Sequence, residues 1–217
     1  GADPQVFYPI AKKESLEFRK RYANLDAQIL LTVGHVSERK GQEIVIRALP
    51  RILQDFPMAR YWMAGLPTLK NELEELAEEL GVANHIHFLG KLSQQELRAA
   101  CNACDLFIMT SRHSRDGQFE GYGIAAVEAA LCGKAAIVSD NSGLAEAILP
   151  GETGLLVQEN DPQSTAQAVI KLLADPTLRN QMGAKARQRA LAEQTWAARA
   201  QEYDHLLGAM AKGLQPR

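Results

Sequence analysis

The chain has 3 cysteines in 217 residues, no excess of either charge and no long apolar run, and each shortage removes a class of protein. Three thiols make no disulfide framework. The one Cys-x-x-Cys, Cys101 and Cys104, falls inside a helical pattern, away from any helix start and without a second pair, so it signals neither a redox site nor zinc. Cys101, Cys104 and Cys132 are expected to be small core side chains. A formal net charge of −2, with acids and bases interleaved, offers no basic stripe or aromatic–basic alternation for nucleic acid. Apolar runs stop at about half a dozen residues, where a membrane-spanning helix needs about 20. No secretory apolar segment opens the sequence, and a cytoplasmic setting is the expectation. His85 and His87 lack a carboxylate or third histidine at ligand spacing, so no metal site is expected. Internal repeats and low-complexity tracts are missing too.

What remains is an ordinary globular composition, 46% hydrophobic and 23% charged, with regularly alternating strand and helix signals. Strand-like runs cover 29–33, 60–64, 86–89, 106–110, 135–138 and 155–157. Each is short, apolar on nearly every residue and bounded by Gly, Pro or polar turns, as strands buried on both faces should be. Helical patterns fill 42–54, 70–80, 94–104, 123–131 and 144–148, and a helical C-terminal tail runs over 163–174, 176–192 and 196–210. Ser93-x-x-Glu96 spells a capping box, and Asp161-Pro162 and Asp175-Pro176 each place an N-cap before an N1 proline. Trp196 is expected to anchor the last helix by packing. Repeated βα units predict an α/β, Rossmann-like, doubly wound parallel sheet of about six strands with helices on both faces. Such sheets bind ligands beyond the carboxyl ends of their strands. The polar and glycine-rich segments 34–41, 65–67, 90–91, 111–123 and 140–143 all fall there.

Segment 111–130 carries the sharpest chemical signal. Glu120 stands just before the expected helix, and Glu128 lies about two turns further in, roughly 10 Å along the axis. Two acids so separated cannot grip one atom. They suit two polar parts of one extended ligand, with free N–H groups of the helix N-terminus facing an anion between them. Ala125, Ala126, Val127, Ala129 and Ala130 make the helix around Glu128 apolar nearly all round, so a carboxylate there is costly unless something hydrogen-bonds to it. His113, Arg115 and Asp116 lie on a long polar loop expected to be exposed. Gly121-x-Gly123-x-x-Ala126 has the spacing of a dinucleotide fingerprint with Asp140 ending the next strand. That fingerprint needs its turn directly off the strand, and residues 112–120 intervene; an NAD-type domain is therefore the lesser alternative.

Several spaced motifs together resemble the C-terminal, donor-binding half of family 4 retaining glycosyltransferases, which have the GT-B fold. They are Thr32-Val-Gly34 with Lys40-Gly41; Phe88-Leu-Gly90; Ser111 with Glu120-Gly-Tyr-Gly123 and Glu128; Ser142-Gly143-x-x-Glu146; and Gly151-x-Thr153-Gly154. The opening Gly-Ala-Asp-x-x-x-Phe-x-Pro resembles an interdomain linker, so 1–9 is expected to be a linker remnant and 10–217 a single nucleotide-sugar-binding domain. The N-terminal acceptor-binding domain would be absent. A peripheral membrane contact through that missing half is compatible with the resemblance.

By this resemblance Lys40 and Glu120 take catalytic roles: Lys40 sits on the donor's diphosphate, and Glu120 accepts hydrogen bonds from the transferred sugar. Glu128 takes the ribose hydroxyls. Gly34 and the backbone of Gly121, Tyr122 and Gly123 face phosphate and sugar, while Gly90 and Lys91 lie against the base. The donor is a nucleotide-diphosphate sugar, no further cofactor is implied, and a hexose passes to a hydroxyl acceptor. Where the family usually writes Gly-Arg the chain has Gly34-His35. A histidine lacks the arginine fork, so the second phosphate contact falls to His35 or to Arg39. A non-catalytic nucleotide-sugar-binding module is the other alternative.

Overall fold

A computed structural model of the protein describes residues 1–114, 117–140 and 143–211. Six strands, β1 (Ile29–Val33), β2 (Arg60–Ala64), β3 (Ile86–Gly90), β4 (Leu106–Met109), β5 (Ala136–Ser139) and β6 (Gly154–Val157), form one sheet. Their order is β3-β2-β1-β4-β5-β6, and every pairing is parallel. The helices are α1 (Lys12–Lys20), α2 (Gln42–Asp55), α3 (Lys70–Glu79), α4 (Gln94–Ala103), α5 (Ile124–Leu131), α6 (Pro162–Ala174), α7 (Pro176–Glu193) and α8 (Trp196–Ala211).

Side chains alternate across the sheet with period two, which divides the core into two layers. Ile29, Leu31, Trp62, Phe107, Met109 and Val138 face one layer with buried residues of α1, α4, α5 and α7. Leu30, Tyr61, Met63, Leu106, Ile108 and Ile137 face the other with buried residues of α2, α3 and α6. One polar chain crosses the second layer: the Tyr61 hydroxyl donates to Thr32 Oγ1 at 2.8 Å, and Thr32 donates to the carbonyl of Ile108 at 2.6 Å. Burial raises the Tyr61 pKa, keeping the phenol neutral. All three cysteines are buried with free thiols, and burial pushes Cys104 up to about 12.

The helix starts follow their local chemistry. Ser93 accepts from the Glu96 amide, and the Glu96 carboxylate accepts from the Ser93 amide, completing the capping box. Asp161 accepts from the amides of Gln163 and Ser164, and Asp175 from that of Leu178, each ahead of an N1 proline.

Three features depart from expectation, and a fourth concerns how the opening segment sits. Helix α1 was not anticipated; it buries only Phe18 and is held by Arg19, which donates to the Ala103 carbonyl at 3.0 Å and pairs with Asp105 at 2.8 Å. The 144–148 pattern folds as a 3-10 turn over Gly143–Ala147. Trp196 is 60% exposed, so its backbone, donating to the Ala2 carbonyl, does the anchoring that its ring was expected to do. The opening segment is docked: Ala2 bridges to Thr195, and both Ala2 and Phe7 are buried.

Candidate functional site

The strand order reverses direction between β1 and β4, and the loops leaving the carboxyl ends of those two strands flank the crevice that such a switch point opens. The β1 loop makes a 3-10 turn, Glu38–Lys40, closed by Gly41. The β4 loop runs from Thr110 to Gly123, where α5 begins. Gly123 holds φ at +74° as the helix cap, and a Cβ there would lie 2.3 Å from Leu144, so only glycine lets the chain enter α5 at this angle.

These loops join residues 80 positions apart. Glu120 Oε2 accepts from Lys40 Nζ at 2.6 Å and from Arg39 Nη1 at 2.6 Å. The side chains are largely covered, 11% exposed for Lys40, 25% for Arg39 and 13% for Glu120, so solvent screens this triad weakly. Burial lowers the Lys40 pKa, and the Glu120 carboxylate opposes that shift. The Lys40 side chain runs beside Gly34, where an added Cβ would sit 3.0 Å from its Cε. Two cations and one carboxylate leave one net positive charge at the crevice, suited to an anion.

His35 turns elsewhere: its Nε2 meets Thr68 Oγ1 on the loop after β2, and its ring is exposed. Of the two residues weighed for the second cationic contact, Arg39 therefore joins Lys40 and His35 does not. Glu128, on α5, is partly buried, and desolvation alone raises its pKa to about 7. Its carboxylate has no hydrogen bond or ion pair among the described residues. The Tyr122 hydroxyl accepts from Gln194 Nε2 at 2.8 Å and from Arg199 Nη2 at 3.4 Å, so its side chain is engaged toward α7 and α8.

Gly34, Gly65 and Gly90 line up along the carboxyl edge of the sheet: the Gly34 amide donates to Ala64 and the Gly65 amide to Gly90. Gly90 and the exposed Lys91 thus lie two strands away from the triad along that edge. Gly121 is exposed, and its carbonyl is so close to Gly143 that a Cβ there would lie 1.7 Å away. Ser142 of the motif quoted above, with Arg115 and Asp116, lies outside the described residues. His113 is exposed, as expected, and its amide donates to Glu159 Oε1 at 2.5 Å.

Sequence reasoning missed Arg112. Its backbone N–H donates to the carbonyl of Arg39 at 2.8 Å, and its guanidinium donates to Glu38 O at 3.1 Å and Glu43 Oε2 at 3.1 Å. The only sequence signal is its place directly after the buried Ser111.

The family model described as glycosyl transferases group 1 matches residues 14–189. The chain is 32% identical over 216 residues to a GDP-mannose-dependent alpha-(1-6)-phosphatidylinositol monomannoside mannosyltransferase of Mycolicibacterium smegmatis, a match covering 99% of this chain and 56% of that protein. Its fold is similar to that of Anabaena HepE solved in complex with UDP and glucose, with a TM-score of 0.83 and 23% identity over 96% of this chain and 55% of that one. It is also similar to the C-terminal domain of the group 1 family protein LpcC from Francisella tularensis, with a TM-score of 0.77 and 24% identity over 90% of this chain and 100% of that one. The chain spans about half the length of the curated relatives it matches.

Proposed function

The chain belongs to the group 1 glycosyl transferases, and on that premise we propose that it is the donor-binding half of a retaining enzyme that moves a hexose from a nucleotide-diphosphate sugar to a hydroxyl acceptor. The observation that carries this reading is the meeting of Arg39, Lys40 and Glu120 at the switch point, with the unpartnered, partly buried Glu128 on the adjoining helix. A diphosphate needs fixed cations, and a sugar and a ribose each need an acceptor for paired hydroxyls. The site offers both, on the loops that follow β1 and β4 and on the helix α5.

In this reading Glu128 accepts hydrogen bonds from the ribose hydroxyls, which reward the charged carboxylate for its burial. Arg39 and Lys40 hold the diphosphate, and Glu120 accepts from the hexose hydroxyls. Reaction breaks the bond between the anomeric carbon and the phosphate oxygen, whose electron pair leaves with the nucleoside diphosphate. The acceptor hydroxyl bonds to the same face of the anomeric carbon, and its proton passes to the departing phosphate oxygen. Lys40 and Arg39 are fixed before charge develops on that oxygen, the arrangement in which electrostatic stabilisation is strongest. Neither carboxylate is required as a base.

The similar mannosyltransferase is named for GDP-mannose and HepE was solved with UDP, which supports a nucleoside-diphosphate donor and leaves the base open. The acceptor is expected to meet residues outside this chain, so the polypeptide alone should bind donor without transfer. Calorimetric titration with UDP, GDP, ADP, their sugars and NADH tests the reading. Binding of one nucleotide family and its sugar supports it; preference for NADH, or no nucleotide binding, overturns it. Hexose transfer by this polypeptide alone would overturn the division of labour.

A further inference from the structure

Lys40 and Arg39 sit on a single 3-10 turn whose one buried residue is Lys40 itself, so the direction of the turn is fixed from outside. Three of its carbonyls are held by the end of β4 and the loop that follows. Thr110 Oγ1 donates to the carbonyl of Gly41 at 2.7 Å, and Arg112 takes the other two: its backbone N–H donates to Arg39 O at 2.8 Å and its Nε to Glu38 O at 3.1 Å. The remaining guanidinium donors spread outward. Nη2 meets Glu43 Oε2 on the first turn of α2 at 3.1 Å and lies 3.6 Å from Glu38 Oε1, while Nη1 meets Asn160 Oδ1 at 3.2 Å.

Asn160 is the one non-glycine with positive φ, +57°, among the described residues. Asparagine visits this left-handed region at lower cost than most side chains, and here the conformation carries its amide oxygen to Arg112. Arg112 is 18% exposed and thus ties the β1 turn, the start of α2 and the loop after β6 to one guanidinium. Lysine could not replace it, because a compact ammonium lacks the planar fork that reaches partners in several directions.

We infer that Arg112 is a positioning residue for Arg39 and Lys40, fixing the turn from which both cations reach a diphosphate, without itself touching the ligand. The inference rests on the donor-binding reading above. It makes the β4 loop serve twice: it carries Glu120 to the cations and, eight residues earlier, holds the turn that carries the cations.

The test is a double-mutant cycle on nucleotide affinity, with NMR chemical-shift titrations of the matching nucleoside as the phosphate-free control. Arg112→Gln should weaken binding of the preferred nucleoside diphosphate by roughly tenfold, the effect of loosening one charge-assisted contact, and leave nucleoside binding unchanged. In a Lys40→Gln background the same substitution should cost roughly threefold rather than tenfold, because one of the two groups it positions is gone. Arg112→Lys should not restore affinity. If Arg112→Gln does not fold, Glu43→Gln, which removes the charge from one acceptor of the fork at the start of α2, should weaken the diphosphate in the same direction and again spare the nucleoside.

An equal loss for nucleoside and diphosphate, full additivity with Lys40→Gln, full rescue by lysine, or no loss would each overturn the inference. Failure of the unaltered protein to bind any nucleoside diphosphate is a different result. It overturns the donor-binding reading, and the inference with it.

Discussion

Replacing Glu128 with glutamine should stabilise the protein and impair it at once, because the site holds a carboxylate that the fold does not satisfy. Desolvation raises its pKa from 4.5 to about 7. Between those values the native state keeps a proton that the unfolded chain has lost, so stability falls as pH rises through this window and stays reduced above about 7. At 1.36 kcal/mol per pH unit the shift corresponds to about 3 kcal/mol as an upper bound. Glutamine removes the charge but keeps polar atoms to bury, so the net gain at pH 8 should be on the order of 1–2 kcal/mol. For a domain of this size each kcal/mol moves the melting temperature by about 2–4 °C.

Thermal melts at pH 8 should therefore place Glu128→Gln above wild type, and the gap should narrow as pH falls through 7 and close below 4.5, where the glutamate is neutral in both the folded and unfolded chain. Nucleotide affinity should move the other way. Losing charge-assisted bonds to ribose costs about 1.5–3 kcal/mol, roughly ten- to a hundredfold. The affinity of wild type relative to the variant should also climb toward a plateau above about pH 7. The ligand's own phosphate titration cancels in the wild-type minus variant difference. A variant less stable than wild type at pH 8, or one that binds nucleoside diphosphate unchanged, would refute the reasoning.

Thr32→Val leaves the buried Tyr61 hydroxyl without an acceptor and should cost about 1–3 kcal/mol in urea unfolding; adding Tyr61→Phe should recover most of that loss, and a double variant no more stable than the single one would contradict the explanation. Gly34→Ala sets a Cβ 3.0 Å from Lys40 Cε at φ +146°, so diphosphate affinity should fall roughly tenfold, about 1.4 kcal/mol; unchanged affinity with an unchanged fold would show that Lys40 has other ways to reach the ligand.

Much of the scaffold was legible because parallel strands buried on both faces write themselves as short apolar runs between turn residues. Strands 29–33 and 60–64 fold with the expected bounds, and Ser93, Asp161 and Asp175 cap the helices they were expected to cap. Helix α1 was hidden because Phe18 is its one buried residue; its position depends on Arg19 bonding across the fold to Ala103 and Asp105, a relation no local periodicity records. Trp196 misled for the opposite reason: a large apolar side chain suggests burial, yet the anchor at this point is a backbone hydrogen bond to Ala2.

The site was half visible. Glu120 and Glu128 could be found from their spacing and setting, and Lys40 from its glycine neighbour at a strand end. The choice between His35 and Arg39 could not be made from sequence, because it depends on where the loop after β1 aims each side chain. The structure sends one to Thr68 and the other to Glu120. Arg112 left no signal beyond its place after Ser111, since its partners at 38, 39, 43 and 160 come together only in the folded chain.

The central claim is that one extended ligand spans the two carboxylates, with sugar at Glu120 and ribose at Glu128. Matched calorimetric titrations of Glu120→Gln with the preferred nucleoside diphosphate and with its sugar test it most directly. Glu120 now holds both Arg39 and Lys40, so removing its charge should leave the bare diphosphate bound at least as tightly, by up to roughly tenfold more, as two cations are released to it. The same change should weaken the sugar-bearing donor relative to the bare diphosphate by roughly tenfold or more, the loss of hydrogen bonds to a charged acceptor. Parallel losses for both ligands would contradict the claim and place Glu120 in the phosphate site or the fold instead.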